Sequence, residues 1–215
     1  DSSVGGKTGV DLPQGKNLCG AFHQPSLVLI DTTTLRSLPV HFFSDGMGEV
    51  IKTGCIKSAQ LFEKIENEDI TAENIEDIVY ACVDIKKGVV ERDEKEQGER
   101  ALLNFGHTAG HGIEKLHNFT GISHGEAVGI GMLMISEAGE KAGLTEGSTA
   151  ERIKKVLEKY NLKTEDENSA ADIIEAMQSD KKRTGSGINF VMLSSIGNSF
   201  IHPVENEKIK ELFGI

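Results

Sequence analysis

Two histidines, His107 and His111, lie four residues apart in the segment LLNFGHTAGHGIEKLHN at residues 102–118. On a helix they share one face, because side chains at positions i and i+4 lie one above the other. A third histidine, His124, follows in GISHGEAVGIG. A catalytic zinc typically takes three protein ligands and leaves a fourth position open to water or substrate. The histidines therefore indicate a candidate metal site, and a histidine pair on a solvated surface is the alternative that HxxxH alone leaves open.

Glu49, in the sequence GMGEVIK, is the best candidate for a carboxylate ligand. Its neighbours Met47, Val50 and Ile51 are apolar, so we expect Glu49 to lie on a largely buried helix face. The alternative is a carboxylate near the start of a helix that the helix dipole stabilises. The HxxxH segment lacks the intervening Glu of HExxH, so the sequence does not support a zinc protease.

The segment GGKT at residues 5–8 resembles the end of a phosphate-binding P-loop. That motif needs a glycine where Asp1 stands and a buried strand before the loop, so the sequence does not support ATP binding here. Lys7 and Lys16 still carry ammonium groups that suit anionic ligands. Two solvated surface lysines are the alternative interpretation.

The composition disfavours several classes of function. The 215 residues carry a formal net charge of −11, which argues against nucleic acid and acidic membranes as partners. No apolar run approaches the ~20 residues of a membrane span, and no signal peptide opens the chain. The three cysteines form no CxxC motif, which argues against a disulfide framework. We therefore expect a cytoplasmic protein that binds neither nucleic acid nor membranes.

The first part of the chain differs in pattern from the rest. Residues 1–25 are rich in glycine and polar residues and are expected to form loops. Residues 27–30, LVLI, predict a short buried strand. We therefore interpret residues 1–38 as a fragment of an α/β domain.

Residues 39–215 predict a multihelical domain. Apolar residues recur at three- and four-residue spacing through residues 44–68 and 71–96, with charges between them, as in amphipathic helices. Residues 188–204 are expected to form a small β-hairpin, and residues 206–215 a terminal helix. The predicted fold class is therefore mainly α, with minor β content.

Two capping boxes predict the starts of helices within this domain. In such a box, the side chain of a Ser and that of a Glu three residues later each bond to a backbone N–H of the other residue. Ser123 with Glu126 and Ser148 with Glu151 have this spacing, each ahead of an apolar-periodic segment.

Longer motifs, taken together, resemble one family. In chain order they are DSSVGGKTGVDLPQGKNLCGAFHQP, LIDTTTLRSLP, GMGEVIK, ERDEKEQGERALLNFGHTAGHGIE, SHGEAVGIGM and DKK. Their order and spacing are similar to those of the 3-dehydroquinate synthase family, within the sugar-phosphate cyclases. The resemblance implies an N-terminal Rossmann-like NAD-binding domain followed by a helical domain, with the active site in the cleft between them.

The resemblance also implies a division of the chain. Residues 1–38 resemble a C-terminal remnant of the NAD-binding domain, and residues 39–215 resemble the complete helical metal- and substrate-binding domain. The glycine-rich pyrophosphate turn of that NAD-binding domain is not among the 215 residues. The implied partners are therefore the missing N-terminal NAD-binding domain, a phosphorylated sugar-acid substrate and, in the full-length form, a second copy in a homodimer.

Particular site residues follow from the resemblance. Glu49, His107 and His124 are expected to ligate zinc, at a site that cobalt also suits, and NAD is the second expected cofactor. His111 is expected to lie near the substrate instead of binding the metal. The residues expected to contact the substrate are Asp1, Lys7, Asn17, Lys52, Lys86, Arg100, Asn104, His111, Lys181 and Lys182. The expected catalytic residues among them are Lys52, Arg100, Asn104 and His111. The residues expected to contact NAD are Lys7, Lys16, Thr34, Leu35, Arg36 and Ser37.

The implied reaction converts 3-deoxy-D-arabino-heptulosonate 7-phosphate to 3-dehydroquinate and phosphate, in the shikimate pathway of aromatic amino acid biosynthesis. It combines transient oxidation by NAD, β-elimination of phosphate, reduction and an intramolecular aldol closure. The substrate carries a carboxylate and a phosphate. Arg100 suits bidentate recognition of such anions, and the lysines suit point-charge contacts.

Three alternatives remain open. The nearest is another sugar-phosphate cyclase, of the inosose or valiolone type, although Arg100, Asn104 and His111 resemble the dehydroquinate set. An iron- or zinc-dependent alcohol dehydrogenase shares the two-domain plan, but the basic GGKTGVDLPQGKN loop favours a phosphorylated substrate. The third alternative is a non-catalytic helical fragment that binds metal or a partner protein.

Overall fold

A computed structural model of the chain describes residues 2–12, 15–181 and 187–215, with only the backbone described at residues 11, 15–18 and 179–181. In chain order, the strands and helices are β1 Lys7–Leu12, β2 Gly15–Phe22, α1 Val40–Lys57, α2 Ala59–Asn67, α3 Glu76–Arg92, α4 His107–Leu116, α5 His124–Lys141, α6 Thr149–Lys159, α7 Ala170–Lys181, β3 Gly187–Ser195, β4 Asn198–Glu205 and α8 Ile209–Leu212. The predictions of a mainly α fold and of a C-terminal hairpin are confirmed.

The chain divides into two compact units. The first unit comprises Asp1–Ser37 and Ile70–Ala101, and the second comprises Leu38–Asp69 and Leu102–Ile215. The first unit therefore contains the segment of α3 as well as the N-terminal residues. The predicted division at residue 38, between a remnant of an NAD-binding domain and a helical domain, stays a prediction.

The N-terminal segment of the first unit forms a hairpin, so the prediction of loops through residues 1–25 is wrong for β1 and β2. The two strands pair antiparallel, with Gly9 opposite Gly20. A Cβ atom on Gly20 would lie 1.9 Å from the carbonyl oxygen of Thr8. Glycine here permits the close approach of two strands, whereas its abundance in the sequence suggested loops.

The predicted strand at residues 27–30 is also wrong. No strand of the described structure includes these residues. Leu27 and Leu29 are 81% and 88% exposed. A strand needs the backbone groups of a neighbouring strand to pair with, and an apolar pattern does not specify whether such a neighbour is present.

Ser58 divides the apolar pattern of residues 44–68 into α1 and α2. Its backbone is extended, with φ at −151°, and its side chain accepts a hydrogen bond of 3.1 Å from Leu61 N at the start of α2. Its own N–H donates to Gly54 O at the end of α1, at 3.0 Å. One residue thus ends the first helix and caps the second.

Side chains of α6 satisfy the carbonyl groups at the end of α2. Lys159 Nζ donates to the carbonyl oxygens of Ile65, Glu66 and Glu68, at 3.1, 3.2 and 2.6 Å. The Tyr160 hydroxyl also donates to Ile65 O, at 3.0 Å. Because the last carbonyls of a helix lack partners within the helix, and carry its negative dipole end, an ammonium group stabilises this terminus.

One of the two predicted capping boxes is present. Ser123 accepts a hydrogen bond from Glu126 N, and the Glu126 side chain accepts one from Ser123 N, ahead of α5. Ser148 makes no such bond, because its backbone is left-handed with φ at 69°. The carboxylate of Glu140 instead accepts the N–H of Ala150, at 2.8 Å, in the first turn of α6. The second predicted box is therefore wrong, although the helix starts where it was expected.

The core of the second unit lies around α5, which packs against α1, α4, α6 and β3. The contact with α4 is close because small residues face each other. A Cβ atom on Gly131 would lie only 2.1 Å from Gly106 O, and one on Gly110 would lie 3.2 Å from the backbone of Ala127. Ile113 on α4 and Val128 on α5 are fully buried near this contact. None of the helices described here is both long and apolar enough to cross a membrane.

Candidate metal centre

Three side chains from three helices converge within the second unit. Glu49 lies in the middle of α1, His107 is the first residue of α4, and His124 is the first residue of α5. One potential ligand atom from each lies within 4.8 Å of the others. His107 Nε2 and His124 Nε2 lie 3.5 and 3.6 Å from Glu49 Oε1. The structure therefore brings together the three residues predicted to bind metal.

Local backbone features place the two histidines at helix starts. Gly106 precedes His107 in a left-handed conformation, with φ at 77°, and a Cβ atom there would lie 2.6 Å from the carbonyl oxygen of Val128. Glycine is therefore needed for α4 to begin against α5. The capping box holds the start of α5, and the carboxylate of Asp45 on α1 accepts the N–H of Gly125. The first turns of both helices are thus held in place.

Each of the three donor residues is also oriented by a second contact. Lys52 Nζ donates to Glu49 Oε2 at 2.5 Å and leaves Oε1 facing the histidines. His107 Nδ1 lies 3.2 Å from the carbonyl oxygen of Phe105. His124 Nδ1 lies 3.4 Å from Glu114 Oε1. Because a carbonyl or ionised carboxylate only accepts hydrogen bonds, these contacts favour a proton on Nδ1 and leave Nε2 of each histidine available to a metal.

The charges of the three groups differ in the metal-free protein. Burial raises the pKa of Glu49, but Lys52, His124 and His107 outweigh that effect and hold this pKa well below its ordinary value. Burial, reinforced by the charge of Lys52, lowers the pKa of His107 to about 3. The nearby carboxylates, that of Glu114 first and then that of Glu49, raise the pKa of His124 to about 9. At neutral pH the cluster therefore contains a carboxylate, a neutral imidazole and an imidazolium.

A divalent metal fits this cluster. Glu49 Oε1 is buried and has no hydrogen-bond partner among the described residues. A buried acceptor without a partner is costly, and a cation bound at this oxygen would remove that cost. One carboxylate oxygen and two imidazole nitrogens are a donor set that zinc and cobalt accept, with further positions open for substrate or water.

His111 does not join the three donors. Its ring is exposed, and the ring centroid lies 5.6 Å from that of His107 and 6.4 Å from that of His124. The spacing alone allowed both His107 and His111 as ligands, whereas the geometry brings only His107 to Glu49. The expected role of His111 beside the substrate stays a prediction.

Two further predicted substrate contacts lie in the same unit as the donors. Lys52 is 5% exposed, and its ammonium group is held by Glu49. Asn104 is half-buried at the end of the 3-10 helix Glu99–Asn104, three residues before His107. Lys52 therefore lies beside the candidate carboxylate ligand, and Asn104 lies close to His107 in sequence.

Three of the predicted substrate contacts in the first unit are Lys7, Lys86 and Arg100. Lys7 forms an ion pair with Glu96. Arg100 is 2% exposed, and its guanidinium donates to the carbonyl oxygens of Gly5, at 2.7 Å, and Glu94. In this structure Arg100 therefore links the hairpin segment to the loop that follows α3. Lys86 is half-buried on α3.

The remaining predicted contacts are less fully described. The predicted NAD contacts Thr34, Leu35, Arg36 and Ser37 lie in the 3-10 helix Thr32–Ser37 of the first unit. Lys16 and Asn17 lie in β2 and Lys181 ends α7, each with only its backbone described. Asp1 and Lys182 lie outside the described residues. The roles of all these residues stay predictions.

Glu114 is the site residue that the sequence analysis missed. It is buried on α4 and contacts His124, which lies on α5. A signal was present, because Glu114 follows His107 by seven residues and so lies on the same helix face two turns later. A single acidic residue in a helix is ordinarily solvated, so the pattern did not distinguish it.

Solved structures share this fold. A 2-deoxy-scyllo-inosose synthase complexed with carbaglucose-6-phosphate, NAD+ and Co2+ matches with a TM-score of 0.81 and 25% identity, covering 99% of this chain and 63% of that chain. A 2-epi-5-epi-valiolone synthase from Streptomyces hygroscopicus with NAD+ and Zn2+ bound matches with a TM-score of 0.84 and 24% identity, covering 99% and 61%. The fold is therefore that of the sugar-phosphate cyclases.

Sequence relatives narrow this class to one family. Models described as 3-dehydroquinate synthase N-terminal and C-terminal match residues 1–45 and 46–183. The 3-dehydroquinate synthase of Clostridium perfringens is 52% identical over 208 residues, which are 94% of this chain and 59% of that relative. The chain belongs to the 3-dehydroquinate synthase family, which confirms the resemblance of the motifs. It spans less than two thirds of the length of the curated relatives it matches, 59% in this case.

Proposed function

We propose that this chain is the metal- and substrate-binding part of a 3-dehydroquinate synthase, which converts 3-deoxy-D-arabino-heptulosonate 7-phosphate to 3-dehydroquinate and phosphate. Membership of the family supports this substrate over those of the inosose and valiolone synthases, because identity to a curated 3-dehydroquinate synthase reaches 52% and identity to those two is 25% and 24%. Bound zinc or cobalt, bound NAD and a cytoplasmic, homodimeric full-length enzyme belong to the same proposal.

The observation that carries the proposal is the cluster of Glu49, His107 and His124, with the buried Glu49 Oε1 lacking a hydrogen-bond partner among the described residues. A cluster that served only to stabilise the helices would be expected to pair its acceptor internally. Instead, three potential donors face one point from three helices. This arrangement supports a resident divalent metal.

The residues around the donors have separable roles in the proposed reaction. When bound, the metal supplies Lewis acidity toward a substrate hydroxyl, and NAD accepts and returns a hydride. Lys52 keeps Glu49 ionised and turned toward the histidines, and its buried ammonium attracts an anionic substrate. His111, exposed one turn from His107, is proposed to exchange a proton with a bound ligand.

Three cations of the first unit have a proposed role of their own. Lys7, Lys86 and Arg100 are proposed to contact its phosphate and carboxylate, as the family motifs imply. Arg100 would exchange its bonds to backbone carbonyls for bonds to an anion, which its planar guanidinium suits through bidentate geometry. Fixing the substrate through both anionic groups would hold the reacting carbons in a productive geometry.

Zinc binding to the purified 215-residue chain tests the metal part of the proposal. We expect one equivalent of zinc, lost in the variants Glu49→Ala, His107→Ala and His124→Ala and retained in His111→Ala. The matched comparison of the two helical histidines separates a ligand from a neighbour. Equal loss of zinc in His107→Ala and His111→Ala would contradict the assignment of ligands.

Calorimetric titration of the zinc-loaded chain tests the substrate class. We expect 3-deoxy-D-arabino-heptulosonate 7-phosphate to bind more tightly than glucose 6-phosphate, which lacks the carboxylate. Substitution Lys52→Met should weaken binding of the first ligand, because it removes a buried cation. Equal affinity for the two ligands would favour a cyclase of the inosose type instead.

A further inference from the structure

A buried carboxylate lies behind one of the three donor histidines. Glu114 is 4% exposed, on the face of α4 that it shares with His107, two turns away. Its Oε1 lies 3.4 Å from Nδ1 of His124, and Nε2 of the same ring lies 3.6 Å from Glu49 Oε1. His124 is therefore held between two carboxylates, with one ring nitrogen toward each.

The two carboxylates differ in their surroundings. Glu49 is held by Lys52 and faces both histidines, whereas Glu114 contacts His124. The ring of His124 is about two-fifths exposed, so packing alone constrains its rotation less than it does for the more buried ring of His107. The contact with Glu114 is the feature that selects one orientation of the ring.

We propose that Glu114 is a positioning residue for the metal: it accepts the Nδ1–H of His124, directs Nε2 toward Glu49 and His107, and strengthens Nε2 as a donor to a divalent cation. The inference rests on the proposed function, because it assigns a role toward the metal of that site. Carboxylates that accept the remote N–H of a ligating histidine fix its tautomer and raise its basicity. A second negative charge near the donors also favours a dication.

Removal of the Glu114 carboxylate should weaken His124 as a metal donor more than it weakens His107. His107 Nδ1 lies near a backbone carbonyl, that of Phe105, which is neutral and cannot be changed by substitution of a side chain. Removal of the Glu114 carboxylate should therefore weaken one donor and leave the other unchanged. This asymmetry provides an internal reference within the same protein.

The test measures the zinc affinity of the 215-residue chain by competition with a chelator. We expect Glu114→Ala to weaken zinc binding about 10- to 100-fold, the range found for such outer carboxylates. Glu114→Gln keeps the shape and an acceptor oxygen and removes the charge, so a smaller loss is expected even if the alanine variant is unstable. Asp166→Asn is the matched control, because Asp166 is also a buried carboxylate bonded to a histidine, His117, at 2.8 Å.

Nitrogen-15 NMR of the zinc-loaded protein supplies a readout that loss of folding alone would not produce. In the unsubstituted chain we expect Nδ1–H and metal-bound Nε2 for both His107 and His124. In Glu114→Gln the shifts of His124 should change and those of His107 should not. If both Glu114 variants kept the zinc affinity and the His124 shifts of the unsubstituted chain, the inference alone would be overturned. If the unsubstituted chain bound no zinc, the proposed function would be overturned as well.

Discussion

The two compact units differ in how their residues are held. In the second unit, the donor residues lie on helices that pack closely through glycines, as Gly131 does against Gly106. In the first unit, hydrogen bonds from Arg100 to the carbonyls of Gly5 and Glu94 help to link the segment before the two-stranded hairpin to the loop after α3. Large apolar side chains such as Leu29 are exposed there. Helix packing thus positions the proposed metal donors, whereas polar contacts such as those of Arg100 link segments of the first unit.

The difference shows which parts of the molecule tolerate change. A close backbone contact admits no additional atom, because neither helix can move without disturbing the rest of the core. Hydrogen bonds from one side chain to two carbonyls can break while each of the linked segments keeps its own structure. Substitutions at close helix contacts in the second unit should therefore disturb more of the molecule than substitutions at polar contacts in the first unit.

The largest effect is expected for Gly131→Ala in the second unit. The new Cβ would lie 2.1 Å from Gly106 O, so α4 and α5 must separate. We expect the free energy of unfolding to fall by about 1–3 kcal/mol. Zinc affinity should also fall, because His107 follows Gly106 directly. Chemical denaturation and chelator competition measure the two effects.

Gly46→Ala on α1 is the control for this prediction. A Cβ atom at Gly46 would have no neighbour within 4 Å, and the residue is exposed in a helix. Alanine there should stabilise the protein by up to about 1 kcal/mol, because glycine is a poor helix former. Similar destabilisation by both substitutions would mean that helix contact does not set the geometry of the donors.

A more local effect is expected for Arg100→Met in the first unit. The substitution leaves the carbonyls of Gly5 and Glu94 without their donor, at about 1–3 kcal/mol for the buried bond to Gly5. Hydrogen exchange should become faster at the amide of His23, which donates to Gly6 O in the hairpin segment. Zinc affinity should remain unchanged, because the three donors belong to the other unit.

Arg92→Met provides the matched comparison for Arg100→Met. Arg92 is exposed and pairs with Glu99 at 2.7 Å, on the same unit. A surface ion pair of this kind contributes about 0.2–1 kcal/mol, so exchange at His23 should hardly change. Faster exchange in both variants would show that loss of positive charge, and not loss of the two hydrogen bonds to carbonyls, loosens the hairpin.

Lowering the pH should have a smaller effect on stability, through the contact between Asp166 and His117 in the second unit. Burial raises the pKa of Asp166, but hydrogen bonds from Asn168 and His117 outweigh burial and hold it below its ordinary value of 3.8. The carboxylate therefore contributes stability above that value, and the contribution is lost as the pH falls through the lower pKa of the folded state. Urea unfolding at a series of pH values measures this loss.

Asp166→Asn should flatten that pH dependence, because the side chain no longer titrates. Glu165→Gln, at a side chain that is 85% exposed, should leave it unchanged. A pH profile of Asp166→Asn that matched the unsubstituted chain would assign the acid sensitivity to other carboxylates.

The smallest effect is expected for Leu29→Ser in the first unit. Leu29 is 88% exposed, so its replacement should change the free energy of unfolding by less than about 0.5 kcal/mol. Chemical denaturation measures this change. A loss as large as that of a core substitution would show that Leu29 is buried in solution.

Much of the helical architecture could be predicted from the sequence, and the reason is local. The periodic segments of the second unit and the capping box of Ser123 depend on interactions within a few residues. The box predicted at Ser148 failed because the left-handed backbone of that residue is set by the preceding turn, and Glu140, from another helix, satisfies the amide of Ala150.

The features that escaped prediction depend on partners distant in sequence. The strand predicted at residues 27–30 needs an edge to pair with, and the hairpin of β1 and β2 depends on the close approach of Gly20 to Thr8. In the candidate site, the spacing of His107 and His111 could not decide which of them faces Glu49, and the family motifs supplied that choice. The contact of Glu114 with His124 arises only when α4 packs on α5.

The bond from Gly125 N to the Asp45 carboxylate bears on any attempt to transplant the metal site into another scaffold. Asp45 and Glu49 are one turn apart on α1. This turn therefore fixes the start of α5, where His124 lies, relative to the proposed carboxylate donor Glu49. Deleting one residue between Asp45 and Glu49 would rotate the carboxylate by about 100° around the helix axis, away from both histidines. A graft must therefore copy that turn of α1 in register with the first turn of α5.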